Sequence, residues 1–127
     1  MATDESKKMV ARRFDAPDER REFPLGYMDV VTVGGVTLGL TTFKPRWRWS
    51  ESLKPIAGTE SCEVAHVGYM LSGRLATRMD DGTEMEFRPG DAVWIPPGHD
   101  GWTVGDEPAV LLQMLGAEEY AKKKQTA

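Results

Sequence analysis

Hydrophobic positions along this chain fall in short runs, and almost every run is closed by a turn-forming residue. "MDVVTV" stops at Gly34-Gly35 and "VTLGLTTF" follows. "AHVGYML" is closed by Ser72-Gly73, "RLATRM" by Asp80-Asp81-Gly82, "EMEF" by Pro89-Gly90-Asp91 and "AVWI" by Pro96-Pro97-Gly98, before "WTVG" and "AVLLQML". Runs this short, rich in β-branched residues and bounded by Gly, Pro and Asp, predict strands joined by tight hairpins. A two-residue Gly-Gly connection is a preferred hairpin turn. No segment before "AEEYAKKKQ" sustains an apolar period of 3.6 over the ten or so residues a helix needs, so only one or two frayed helical turns are expected, and only there. The pattern is that of an all-β sandwich or barrel.

At 127 residues the chain makes one domain, able to bury roughly two thirds of its unfolded surface. Residues 1–22 are charged and offer only Phe14 as an apolar anchor before Phe23, which predicts a mostly extended arm, partly ordered by docking onto the domain or a partner subunit. Residues 23–116 carry the barrel, and residues 117–127 read as a polar tail. The net charge of -4 and the absence of a basic stripe argue against nucleic acid; the only basic run, Lys122-Lys123-Lys124, lies in that tail. No apolar run approaches the ~20 residues of a membrane helix. One cysteine, Cys62, excludes an internal disulfide, and "MATDESKKMV" lacks the apolar core of a signal peptide, so a cytoplasmic protein is expected.

The order strand, Gly73, strand, Asp-Gly hairpin, strand, "PGD", strand, "IPPG" resembles the small single-domain cupins, especially a bacterial subset with stretches like "WRWSESLKPIAGTESC", "MDDGTE" and "PPGHDGW". The resemblance implies a jelly-roll barrel, two sheets rolled around a metal, and covers most of residues 28–114. The family's second motif is Gly, five residues, Pro-x-Gly, two residues, His. Gly90, Pro96 and Gly98 fall on that spacing, but Gly101 stands where the histidine belongs. The first motif, counted back from Gly73, puts His66 in the place of the family's glutamate and Cys62 and Glu60 in the places of its two histidines. Three of the four ligand places therefore hold a group able to bind a metal, and His99 stands two residues before the fourth.

Alternation along a strand decides which of these can meet. Glu60 and Cys62 face together, as do His99 and position 101, and His66 joins them if the intervening turn follows the family pattern. His99 lies two strand steps, roughly 6.6 Å, from the usual donor position, far beyond a metal–nitrogen bond of about 2.1 Å. A site using His99 must therefore sit elsewhere along the barrel, or the Pro96-Pro97 turn must differ. His66 and His99 are each either a metal ligand or catalytic base, or an imidazole hydrogen-bonded in a polar core or turn. Cys62 is either a thiolate ligand or a small buried residue, and Glu60 either a ligand or a solvated carboxylate. A His, His, Cys set with an open position suits zinc, iron or copper, whereas His66, His99 and Glu60 would make the facial set of non-haem iron oxygenases.

In "KPRWRWSESLKP", Trp47 and Trp49 share a face if the segment is extended. They either cap the barrel as core or wall a substrate gate in which Lys54 or Arg48 meets a carboxylate. Trp94 and Trp102 bracket the His99 turn and are candidates for narrowing the same mouth, and parity with His66 turns Met70 inward. No phosphate loop, nucleophile elbow or carboxylate pair across a cleft is present. Two functions fit. One is a metal-dependent enzyme of the oxygenase, isomerase or hydrolase type acting on a small molecule through His66 and His99; the other is a binding or sensory barrel that retains a small ligand. A homodimer is expected, because edge strands and an apolar outer sheet face need cover.

Overall fold

The computed structural model describes residues 7–118, 120 and 121. Among these, the elements run β1 (Glu19–Phe23), β2 (Gly26–Val33), β3 (Val36–Phe43), the one-turn helices α1 (Trp49–Ser52) and α2 (Lys54–Ala57), β4 (His66–Ser72), β5 (Arg74–Met79), β6 (Glu84–Phe87), β7 (Ala92–Ile95), β8 (His99–Val104) and β9 (Ala109–Leu115). Two antiparallel sheets, β1-β2-β3-β9-β4-β7 and β6-β5-β8, close over one core as a jelly-roll barrel. Gly34 and Gly35 both adopt positive φ, 57° and 79°, which is the type I′ turn that matches strand twist, and they set the β2–β3 register at Val33 opposite Val36.

Alternation holds where it matters for the interior. On β4, His66, Gly68 and Met70 are buried while Tyr69 and Leu71 are exposed; on β9, Ala109, Leu111 and Gln113 are buried. Phe23, Phe43, Trp47 and Tyr120 form an aromatic cluster, with Phe43 and Trp47 centroids 4.1 Å apart and Tyr120 edge-on to both phenylalanines. Each buried aromatic ring of this kind contributes on the order of 1.5–3 kcal/mol through the apolar area it removes from water. Among the described residues, no helix is long and apolar enough to cross a membrane.

Three expectations need correction. The barrel takes in Glu19–Phe23, and so begins before residue 23, because Arg20 and Arg21 on β1 find partners across the chain: Arg20 pairs with the buried Asp29 at 2.7 Å. Asp18, just ahead of β1, is also bonded to β2, with the backbone N–H of Thr32 donating to Asp18 Oδ2 and that of Asp18 to Val30 O. The segment 49–57 is helical rather than extended; each helix is a single turn, too short to show a period. The backbone N–H of Ser50 donates to Asp100 Oδ1, and α2 has Pro55 in its first turn and ends at Gly58 in the left-handed region. Nor is residue 117 the start of a solvated tail, since Ala117 and Tyr120 are buried. The Arg21 Nη1 donates to both Ala117 O and Tyr120 O, at 2.6 and 2.7 Å, and so ties this turn to β1. Lys122-Lys123-Lys124 and the rest of the tail lie outside the described residues.

Candidate metal centre

Cys62 precedes β4 and forms an isolated backbone bridge with His99, the first residue of β8. The Cys62 N–H donates to His99 O at 2.7 Å, and Cys62 O accepts from Gly98 and His99. That bridge answers the spacing problem of His99: the cluster forms beside Cys62, at the start of β8, instead of at position 101. Ligand atoms of Cys62, His66 and His99 lie within 4.8 Å of one another, and all three residues are buried. Cys62 Sγ stands 3.7 Å from His66 Nε2. Around tetrahedral zinc, with bonds of about 2.3 Å to sulfur and about 2.1 Å to nitrogen, sulfur and nitrogen stand roughly 3.6 Å apart.

The far side of each imidazole is already committed. His66 Nδ1 is 2.9 Å from Gln113 Oε1, and Gln113 Nε2 donates in turn to Thr41 Oγ1 at 2.8 Å. His99 Nδ1 is 2.7 Å from Pro96 O. An amide oxygen and a peptide oxygen only accept, so both histidines carry their proton on Nδ1 and keep an acceptor lone pair on Nε2, which on His66 meets the Cys62 thiol. Outer partners that fix the tautomer in this way are the usual complement of metal-ligating histidines.

Burial sets the protonation of all three groups. It lowers His66 to about 4, helped by the neighbouring His99 and opposed by the Gln113 bond. Burial also lowers His99, against the pull of the Pro96 carbonyl, and pushes the Cys62 thiol up to about 12. Near neutral pH the cluster is therefore two neutral imidazoles and a thiol, and the thiol becomes a ligand only when a cation displaces its proton. The donor set fits a zinc, iron or copper ion and is too soft for magnesium or calcium.

A cavity of about 30 Å³ adjoins the cluster, bordered by His66 and His99, by the rings of Phe43, Trp47, Trp49 and Tyr120, and by Thr77, Gly101 and Gln113 among others. This is room for about two water-sized atoms. Tyr120 packs edge-on against His66 at 5.2 Å between centroids.

The remaining residues singled out from sequence go elsewhere. Glu60 is 93% exposed and pairs with Lys54 at 2.9 Å, so neither the carboxylate ligand nor the Lys54 anchor reaches the cavity. Trp94 is 59% exposed, between inward Val93 and Ile95. Trp102 faces away from the cavity as the strand neighbour of Gly101 and lies under the Arg48 guanidinium, whose carboxylate partner is Asp100 at 3.6 Å. Trp47 and Trp49 do border the cavity; Met70 is fully buried but packs in the core without lining it. Gln113 and Tyr120 were not anticipated. A glutamine at inward parity in "AVLLQML", and a lone aromatic in a charged stretch, were the signals for them.

A closed jelly roll with a buried nitrogen and sulfur donor set beside a small cavity defines a class of barrel, and comparison with known proteins agrees with that fold. Residues 55–115 match the family model described as the cupin domain, and this chain is a cupin-fold protein. Its structure is similar to that of the polyketide cyclase RemF from Streptomyces resistomycificus (19% identity, TM-score 0.62, 87% of this chain and 80% of that one). It is also similar to a protein of unknown function from Rhizobium leguminosarum bv. viciae 3841 (21%, 0.59, 85% and 98%). Oxalate decarboxylase from Lactobacillus farciminis is matched over 85% of this chain but only 32% of its own (15%, 0.53). At these identities the likeness is one of fold. No protein of curated function matches the sequence.

Proposed function

We propose that Cys62, His66 and His99 hold one divalent transition metal, and that the chain is a metal-dependent cupin acting on a small molecule. The observation that carries this reading is the pair of histidines held in their Nδ1–H form by Gln113 and Pro96, in one buried cluster with the chain's single thiol. A metal in such a set supplies Lewis-acid polarisation of a substrate oxygen or activation of water or dioxygen. The protein's own part is to keep the imidazoles neutral and oriented and to exclude bulk water. His66 and His99 are the residues this reading makes essential.

A second reading has its own support: a barrel that binds a small ligand without turnover. The thiol and the His66 imidazole already satisfy each other at 3.7 Å, so the cluster is self-consistent with no ion. Elemental mass spectrometry on untagged protein, purified without added metal or chelator, separates the two. Close to one zinc, iron or copper per chain is expected. No metal, persisting after reconstitution with each of the three, overturns the metalloprotein reading in favour of the binding barrel.

The same reading includes a cytoplasmic homodimer. A reducing compartment keeps the thiol free. Tyr69, Leu71, Trp94, Met114 and Leu115 are exposed apolar residues on the adjacent strands β9, β4 and β7, a face of the kind that a second copy covers.

A further inference from the structure

Cys62, His66 and His99 are all buried, so whatever reaches them must pass a wall that opens. The walls around them are not held equally. The bordering strands are paired in ladders, and the segment bearing Trp47 and Trp49 is tied to β8 by the Thr103 N–H on Trp47 O and the Ser50 N–H on Asp100 Oδ1. The turn that carries Tyr120 is different. Among the described residues its backbone makes no hydrogen bond to a strand backbone; the Tyr120 N–H donates to Gly116 O, within the turn itself.

The turn has a hinge, a seat and a latch. Gly116 leaves β9 at a φ of 98°, which a side chain would strain, and a Cβ there would collide with Ala65 O and stand 3.0 Å from His66 Nδ1. Ala117 sits against β3, where a Cβ built on Gly39 would stand 3.0 Å from Ala117 Cβ. Tyr120 then borders the cavity, edge-on to His66 with centroids 5.2 Å apart. Across the chain, the two bonds from Arg21 Nη1 to Ala117 O and Tyr120 O hold this arrangement shut. Glu19 orients the same guanidinium through contacts of 3.1 and 3.2 Å to Nε and Nη2.

We infer that this turn is a hinged plug. It swings about Gly116, withdraws Tyr120 from the cavity and opens a path to His66 and to Cys62 beside it, and the Arg21 latch sets how often it does so. Opening gives up the burial of Ala117 and Tyr120 and two charge-assisted hydrogen bonds while leaving every strand pair intact, a local event well short of global unfolding. The device goes beyond the metal reading, because a small ligand would need the same passage.

The single thiol gives a test that needs no metal. Full-length protein, dialysed against chelator, is treated with a thiol reagent over a range of urea concentrations below the unfolding transition. Where reclosing outpaces labelling, the rate reports the opening equilibrium. We expect Cys62 to be labelled with a much weaker urea dependence than global unfolding. Arg21→Ala should label roughly ten- to a hundredfold faster than wild type in the absence of urea, and Arg21→Lys, which keeps the charge but not the fork, should fall between them. A urea dependence in wild type equal to that of global unfolding would overturn the inference. So would equal local labelling in wild type and both variants, which would place the opening elsewhere, for example in the segment 53–62. Should neither variant fold, amide hydrogen exchange in wild-type protein decides: the Tyr120 N–H should exchange with the opening constant found for Cys62, faster than the amides of β9, and protection equal to theirs would overturn the plug. None of these outcomes bears on metal content, so the metal reading stands or falls separately.

Discussion

Two parts of the cavity lining are held in different ways. The histidine part is fixed by directed bonds: Gln113 on His66, Pro96 on His99, and a backbone bridge from Cys62 to His99. The aromatic part, Phe43, Trp47 and Tyr120, is fixed by packing, and among the described residues it leaves Trp47 Nε1 without a hydrogen-bond partner. Directed bonds specify which atom of a ring faces the cavity; packing specifies only shape. The histidine part should therefore respond sharply to loss of a single partner, while the aromatic part should respond through what it admits.

The largest expected effect is on the directed side. His66→Ala removes the imidazole that meets both Cys62 and Gln113, and bound metal should fall by more than roughly a hundredfold in affinity, since even the loss of an outer partner costs ten- to a hundredfold. Metal content after dialysis, with circular dichroism to verify the fold, checks it. Retention of stoichiometric metal would remove His66 from the site.

Next is the stability of the metal-free protein. His66 has a folded value of about 4 against 6.5 for the free side chain, so the unfolded chain takes up a proton first as pH falls. Stability present above pH 6.5 is lost progressively toward pH 4, by up to roughly 3 kcal/mol at 1.36 kcal/mol per unit. His99, also lowered, contributes with the same sign. Urea unfolding at pH 7.5 and pH 4.5 measures this, and His66→Gln should flatten the difference.

A smaller effect isolates the outer partner. Gln113→Leu leaves the three donors in place but removes the oxygen that holds His66 in its Nδ1–H form, which should weaken metal binding ten- to a hundredfold. A merely structural role would not change the tautomer, so ¹⁵N shifts of His66 are the discriminating readout. Gln113→Glu, which retains an acceptor, should preserve the Nδ1–H form.

The legibility of these parts differed for the same physical reason. Turn residues act locally, so the strands, the Gly34-Gly35 hairpin and the inward parity of His66, Gly68 and Met70 could be read from adjacent positions. Parity alone would also have turned Trp102 outward, given an inward Gly101, and Trp94 outward between Val93 and Ile95. The rest depends on contacts between residues far apart in sequence: Gln113 on His66, Arg21 on the turn carrying Tyr120, and Cys62 on His99. No local pattern encodes such contacts. The one-turn helices were hidden by length, and their position moved Lys54 and Glu60 to the surface together.

That surface pair gives the smallest predicted effect and the sharpest check on which donor set this barrel uses. Motif spacing made Glu60 either a ligand or a solvated carboxylate, and as a ligand with His66 and His99 it would form the facial set of an iron oxygenase. The fold instead gives Glu60 an exposed partner, Lys54, and gives the cluster Cys62. An exposed ion pair of this kind contributes about 0–1 kcal/mol, so Glu60→Gln should change stability by no more than that and leave metal content unaltered, whereas Cys62→Ser should lose metal. Measured side by side, the opposite result, metal lost with Glu60→Gln and kept with Cys62→Ser, would mean that the segment 53–62 rearranges on binding and that the centre is a carboxylate site after all.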